Sequence, residues 1–441
     1  MTTHLSAHAE TGASMTEQAD RRRMIRRVAY ASMIGSTVEW YDFIIYGVMA
    51  GLIFNKQYFP VSNPVVALLI SYGTFGAGFL ARPLGGIVLG HFGDRVGRKA
   101  VLVLTLTLMG ASTVLIGAVP TYASIGIAAP VALIALRLVQ GFALGGEWGG
   151  AILMAFEYAG PKERGFYTAF PQLGLAAGLF ISSAVVALLT LCLSGAAFNA
   201  WGWRLAFFAS AILLALGLFI RLQIVETPEF RSLREHHAVA KAPIAEVIGQ
   251  HGRNLMMGWG SRAAEGTAFT IYSIFSISYF TQTLHIGRQA VMSAIAAAAL
   301  VLGIVIPLAA RWSDHVDRRR FFACASIVTG LTSFPLFWMM THAGGHAWIA
   351  LTALVLGLGL FMAPLYGAQP ALFCELFQTR VRYTGISLVY QLGGLLFVST
   401  GPGVAVYLFA RNHGEPWLLA TYLTMAGGVS AICTLMMRRN A

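Results

Sequence analysis

Charge is what this sequence has least of. Only 11% of its 441 residues are charged, while 57% are hydrophobic, and the mean hydropathy is +0.69. Soluble domains carry roughly 25% charged residues, so a water-facing surface of ordinary size is excluded. Acidic residues are the scarcer sign, 18 against 30 Lys and Arg, which leaves a net charge of +12. Cysteine is also rare. Cys192, Cys324, Cys374 and Cys433 lie singly in or beside apolar runs; no metal-type or redox-type spacing links them, and they read as small apolar side chains. No His/Cys/Asp cluster or nucleophile–base pair is visible, so no catalytic residue, no metal ligand and no cofactor are expected.

Long apolar runs are there in quantity. The 48 glycines and 28 phenylalanines suit close helix packing and a lipid-facing surface. A spanning helix needs about 20 mainly apolar residues. Twelve segments qualify, near 28–54, 64–89, 99–119, 127–155, 165–193, 202–224, 254–283, 290–310, 321–341, 347–372, 384–410 and 416–437. The chain is therefore expected to be an all-α membrane protein. Its polar start ends in Arg21, Arg22, Arg23, Arg26 and Arg27. No cleavage-type site follows the first apolar stretch, which reads as an uncleaved span. The longest polar interruption, 225–253, divides the spans into two sets of six. The expected domains are a tail (1–27), a first bundle (28–224), a linker (225–253), a second bundle (254–437) and a short C-terminus (438–441).

The basic residues are placed asymmetrically. Both termini and the even-numbered loops hold Arg21–Arg27, Arg95, Arg98, Lys99, Lys162, Arg164, Arg318–Arg320, Arg380, Arg382, Arg438 and Arg439, besides the linker. The opposite face has Lys56, Arg288 and Arg411, with Arg204 near its edge. Positively charged loops stay in the cytoplasm, so both termini and the linker are expected there. This distribution accounts for the positive charge without a nucleic-acid partner.

The halves repeat one another. Gly90-His-Phe-Gly-Asp94-Arg-Val-Gly97-Arg98-Lys99 joins spans two and three, and Ala310-Arg-Trp-Ser-Asp314-His-Val-Asp317-Arg318-Arg319 joins spans eight and nine in the same register. Glu157…Arg164 is echoed by Glu375…Arg382. A duplicated six-helix unit marks alternating-access carriers, whose solute site lies at mid-membrane between the halves.

The first of these loops resembles the loop signature of the major facilitator superfamily, and Arg137-Leu-Val-Gln140-Gly141 resembles that superfamily's motif in the fourth span. Glu39-Trp-Tyr-Asp42-Phe, Ala81-Arg82-Pro83, Gly145-Gly-Glu147-Trp148-Gly-Gly, Trp201-Gly-Trp-Arg204, Glu226-Thr-Pro-Glu-Phe230 and Glu375-Leu-Phe-Gln-Thr-Arg-Val-Arg-Tyr383 are similar to its metabolite:proton symporter family. The similarity runs from about residue 24 to the end. Tyr46-Gly, Phe54-Asn55 and Arg262-Ala-Ala-Glu265 look most like the shikimate-carrying branch. The resemblance implies twelve transmembrane helices in two pseudo-symmetric six-helix bundles, in a bacterial inner membrane. It implies substrates such as shikimate, α-ketoglutarate, citrate, proline or betaine. One departure is Asp317, where the second loop motif has glycine; a stiffer or wider turn and a non-identical gating role are expected there.

Seven ionisable residues fall within the spans: Glu39, Asp42, Arg82, Arg137, Glu147, Arg262 and Glu265. Each costs about 2.5–3.5 kcal/mol at a helix centre. At 1.5 Å rise per residue most lie on the order of 10–16 Å deep. The first half offers three carboxylates to two guanidiniums, so one carboxylate lacks a partner. A lone carboxylate in a low-dielectric site can exchange a proton between the two sides. Glu39 or Glu147 is expected to carry it, with Asp42 and Arg137 as an ion pair that opens or stays closed. All eleven histidines lie in tails, loops or span edges, so carboxylates must do this work. Arg82 reads as an anchor or a substrate contact, and Arg262 with Glu265, at i and i+3, as a contact or a self-neutralising pair. Glu147 sits among glycines that permit a tight helix crossing.

Gln140, Gln172, Gln369 and Gln391 could read a solute or bond neighbouring helices. Tyr41 and Trp148 join the solute candidates, beside Trp40, Tyr46, Tyr272 and Tyr390, for which packing competes. At the cytoplasmic end, Gly90, Asp94, Gly97, Arg98, Lys99 and Glu157, echoed by Asp314, Arg318, Glu375 and Arg382, are expected to form a gate: Asp94 accepting from helix-end amides, Arg98 donating to carbonyls or Glu157. The leading expectation is a proton-coupled symporter of a small organic acid, acting as a monomer. A zwitterionic osmolyte carrier is the alternative. An enzyme or receptor would need chemistry or an output domain that the sequence does not display.

Overall fold

A computed structural model describes the backbone of residues 2–59, 64–223, 226–236, 240, 242–344 and 346–438. It describes side chains over the same ranges except residues 2–22, 64–69, 72, 75, 228, 282 and 288. Among the described residues there is no strand. Twelve long helices follow in order. They are α1 (Thr2–Met49), α2 (Pro64–Val96), α3 (Arg98–Ala118), α4 (Ala128–Tyr158), α5 (Arg164–Cys192) and α6 (Gly195–Leu222). In the second half, α7 begins at Pro243–Ser261 and continues through shorter helical segments to Tyr279–Thr283. Then come α8 (Arg288–Ser313), α9 (Arg318–Thr341), α10 (Ala347–Cys374), α11 (Thr379–Arg411) and α12 (Trp417–Met436). A short helix, Pro228–Glu235, lies in the linker, capped by Thr227, which accepts from Phe230 N at 3.3 Å.

Ten of the twelve are long and apolar enough among the described residues to cross a membrane; α2 and α7 are the other two. In α7 the reason is composition: Asn254, Ser261, Arg262, Glu265 and Thr267 all fall in its first half. The helix also starts at Pro243, eleven residues before the apolar run does. Outer surfaces carry bare apolar side chains, among them Leu191, Phe180, Ile212 and Leu300. That surface is stable only against lipid.

The two bundles meet where α2 packs along α11 and α5 along α8. Their pseudo-symmetry extends to helix irregularities. α1 runs into a π-helical turn at Ala50–Phe54 and α7 has one at Thr270–Phe275, the two beginning 220 positions apart. That offset is the one separating the two loop motifs.

Within the first bundle, α2 and α4 cross with their backbones touching. A Cβ on Gly141 would lie 2.0 Å from the Gly78 carbonyl oxygen, and one on Gly145 would lie 2.1 Å from that of Arg82. Only glycine permits this approach, and it fixes Arg82 of α2 against the polar face of α4. The turn into α3 needs glycine for another reason: Gly97 has φ 126°, which L side chains avoid. Its counterpart Asp317 instead takes φ −65° and ψ 109°, and caps α9 by accepting from Arg319 N and Arg320 N at 3.1 and 3.0 Å.

Candidate functional site

Helix geometry turns Asp42 of α1 into the middle of the first bundle, 2% exposed. Thr113 of α3 donates to its Oδ2 at 2.7 Å, and Ser210 of α6 to its Oδ1 at 2.6 Å. Thr113 in turn accepts from Gln140 Nε2 at 2.6 Å, and Gln140 Oε1 accepts from Arg137 Nη1 at 3.1 Å. Asp42 and Arg137 were expected as a direct ion pair. They are joined instead by two neutral side chains, because Arg137 turns over the rings of Tyr46 and Phe43, at 4.4 and 5.3 Å.

Glu147 also departs from expectation. It is paired rather than alone: Arg221 of α6 donates to both its oxygens, and Thr105 to Oε2 at 2.6 Å. Arg221 was missed because it lies in the last turn of α6, where a cation reads as a topology signal. Counting it would have balanced the first half at three guanidiniums to three carboxylates. Glu39, 7% exposed, is the carboxylate that no hydrogen bond or ion pair holds among the described residues. The charges acting on it are those of Arg82, Glu147 and Arg221. Arg82 lies over Phe79 and Phe43 at 4.6 and 5.2 Å, and no hydrogen-bond acceptor holds its guanidinium among the described residues. Tyr41 lies elsewhere. Its hydroxyl donates to the Ala206 carbonyl at 2.7 Å inside the first bundle's core.

Between the bundles, Trp148 of α4 stacks on Tyr390 of α11, with centroids 3.6 Å apart and planes 8° from parallel. Trp148 Nε1 donates to Gln172 Oε1 at 2.9 Å, and Gln172 Nε2 to the Tyr366 carbonyl at 3.1 Å. Arg262 lies 4.0 Å from the Tyr390 ring centre and is held by Glu265 and Gln369, each at 3.1 Å. Gln369 also donates to Glu265 at 3.3 Å. Gln391 donates to the Gly145 carbonyl at 3.0 Å. All four glutamines thus make interhelical or network bonds.

At the basic end the two loop motifs make matching contacts. Asp94 accepts from Tyr383 N and Thr384 N at 3.2 and 2.9 Å, at the start of α11. Asp314 accepts from Phe166 N and Gly165 N at 2.9 and 2.6 Å, at the start of α5. Each carboxylate satisfies two amides that a helix start leaves bare. The Asp317 departure therefore leaves this contact intact. Arg98 lies 3.5 Å from Asp94 and 3.6 Å from Glu157, and donates to the Thr379 carbonyl at 2.8 Å. Arg382 reaches Glu157 across the bundles at 3.6 Å. Arg318 holds Asp314 at 2.5 Å and also bonds Glu375. Gly90 lies against Thr384, and Lys99 N donates to Glu226 of the linker at 3.1 Å. Hydrogen bonds and ion pairs between the bundles gather at this end and at mid-depth.

The sequence as a whole bears the same architecture. Residues 28–257 match the Sugar (and other) transporter family and residues 258–440 the Major Facilitator Superfamily. The chain is 38% identical over 415 residues to the inner membrane metabolite transport protein YhjE of Escherichia coli, covering 93% of each. The chain belongs to the major facilitator superfamily. Within it this transporter is 35% identical to the Escherichia coli shikimate transporter over 419 residues, 94% of each chain. It is 29% identical to the proline/betaine transporter of Salmonella typhimurium over 95% of this chain and 84% of that one. In fold it is similar to the proton:xylose symporter XylE bound to 6-bromo-6-deoxy-D-glucose, with a TM-score of 0.74 at 15% identity, covering 94% of this chain and 95% of that one. The protein is a multi-pass inner-membrane transporter of small metabolites and not an enzyme.

Proposed function

We propose that this transporter carries a small organic acid into the cell together with protons, by alternating access of its two bundles. The observation that carries the reading is an unheld pair: Arg82, whose guanidinium has no acceptor, and Glu39, whose carboxylate has no donor, among the described residues. Arg82 offers a counter-charge to a solute carboxylate. Glu39 and Asp42 are the proton sites, Asp42 sensing Arg137 through Gln140 and Thr113. The basic end is cytoplasmic, with both termini on that side, and its two aspartate caps latch it shut while the other side loads. The bundles extend over 28–224 and 254–437, and one chain suffices for transport.

Uptake into membrane vesicles under an imposed pH gradient tests this, with organic acids and betaine offered separately. Acid uptake is expected to follow the gradient. Glu39→Gln and Asp42→Asn are each expected to abolish accumulation while leaving solute exchange. Normal accumulation by both variants would overturn the proton assignment. A monoanion moving with one proton carries no net charge, so an imposed potential leaves its accumulation unchanged. A zwitterion moving with one proton gains about 2.3 kcal/mol per 100 mV, roughly 40-fold. The zwitterionic osmolyte is the second reading, and it rests on the similarity to the proline/betaine transporter.

A further inference from the structure

The stack between the bundles is flatter and closer than the aromatic pairs proteins ordinarily build, whose centroids lie 4.5–7 Å apart. Its two rings come from different halves. Trp148 is fixed on the first by Gln172, and Tyr390 belongs to the second. Trp148 covers one face of Tyr390, so the Arg262 guanidinium, 4.0 Å from the ring centre, occupies the other. Glu265 and Gln369 hold that cation in place. Any movement that parts the bundles here exposes two parallel π-faces to one gap. A flat ring fills such a gap when the faces stand roughly 7 Å apart, two contact distances of about 3.5 Å. The cation behind Tyr390 draws electron density from the ring, which favours a second ring bearing negative charge over a second cation. A quaternary ammonium would need walls at angles around it and a π-face not already shared. Arg82, whose guanidinium no hydrogen-bond acceptor holds among the described residues, supplies the anchor for a carboxylate.

We propose that Trp148 and Tyr390 form a clamp that selects a small carboxylate with a flat, unsaturated six-membered ring, which replaces their mutual stack when the transporter loads. This rests on the organic-acid reading above and narrows it. Calorimetric titration of the purified full-length protein in detergent tests it with four probes: benzoate, 1-cyclohexenecarboxylate, cyclohexanecarboxylate and hexanoate. Benzoate is expected to bind about tenfold tighter than the puckered and open-chain acids, as a stacked ring pair contributes, with 1-cyclohexenecarboxylate, flat only about its double bond, between them. Trp148→Phe keeps a face and is expected to keep the preference. Trp148→Leu and Tyr390→Leu are expected to lose it, so that the four acids bind each variant with similar affinity. Equal affinity of the wild type for benzoate and cyclohexanecarboxylate would overturn the clamp alone. Binding of no acid of any shape would overturn the organic-acid reading as well.

Discussion

Arg221 reaches Glu147 through the middle of the first bundle, and both side chains are nearly inaccessible, at 4% and 1% exposed. A charge left alone there has no water to turn to. Removing one partner of a buried pair costs about 3–5 kcal/mol, whereas replacing both with apolar groups is often neutral. Arg221→Met is therefore expected to lower the melting temperature in detergent sharply, and Arg221→Met with Glu147→Leu to restore most of it. An unchanged melting temperature in the single variant would contradict the pairing. Glu39 contrasts with Glu147 on the same scale. Both are buried acids in α1 or α4, yet only one has a guanidinium in hydrogen-bond reach. That difference, and not depth, separates a structural acid from a candidate proton carrier.

At the scale of elements, the basic end works through helix starts. Asp94 sits under α11 and Asp314 under α5, each accepting from two backbone amides of the opposite bundle. Opening this end takes both carboxylates off their amides. An N-terminal cap of this kind contributes about 1 kcal/mol over alanine, so Asp94→Ala or Asp314→Ala is expected to shift the open–closed equilibrium roughly fivefold. Distances between spin labels placed on α2 and α11 at the basic end would read the shift. Equal distance distributions in wild type and variants would show that the caps do not hold the gate. The sequence supplied both aspartates and their register but not their targets, since helix starts 148 to 290 residues away are invisible to a local motif. It also suggested that Asp317 would set the second motif apart. The cap on α9 absorbs that change locally, and Asp314 is left where Asp94 would be.

On the whole-molecule scale, the linker is the one covalent tie between the bundles, and its short helix docks onto the loop motif. Phe230 lies under the Arg98 guanidinium at 4.6 Å. Glu229 on the same helix is pushed up to about 7, first by burial and then by the nearby Glu157, with Arg382 and Arg164 opposing. A carboxyl raised in the folded state favours docking fully below its unfolded value near 4.5, and that contribution is lost as pH rises through 7. Hydrogen exchange over residues 228–235, corrected for intrinsic rates, is expected to show tighter docking at pH 5 than at pH 8. Glu229→Gln is expected to flatten the difference. A profile that is as steep in the variant would assign the pH response to another group.

What the sequence determined by itself was whatever depends on solvent and on repetition. Too little charge for water gave an all-helical membrane chain, and a loop motif recurring at a fixed offset gave two bundles. Buried charges, costly in lipid, marked the layer that holds the candidate site. Partnership was decided only in three dimensions. Asp42 reaches Arg137 through Thr113 and Gln140, Glu147 takes Arg221, and Trp148 finds Tyr390 on the other half. Each choice depends on the rotation of one helix against another. A single span's composition carries its depth but not the azimuth that selects a neighbour.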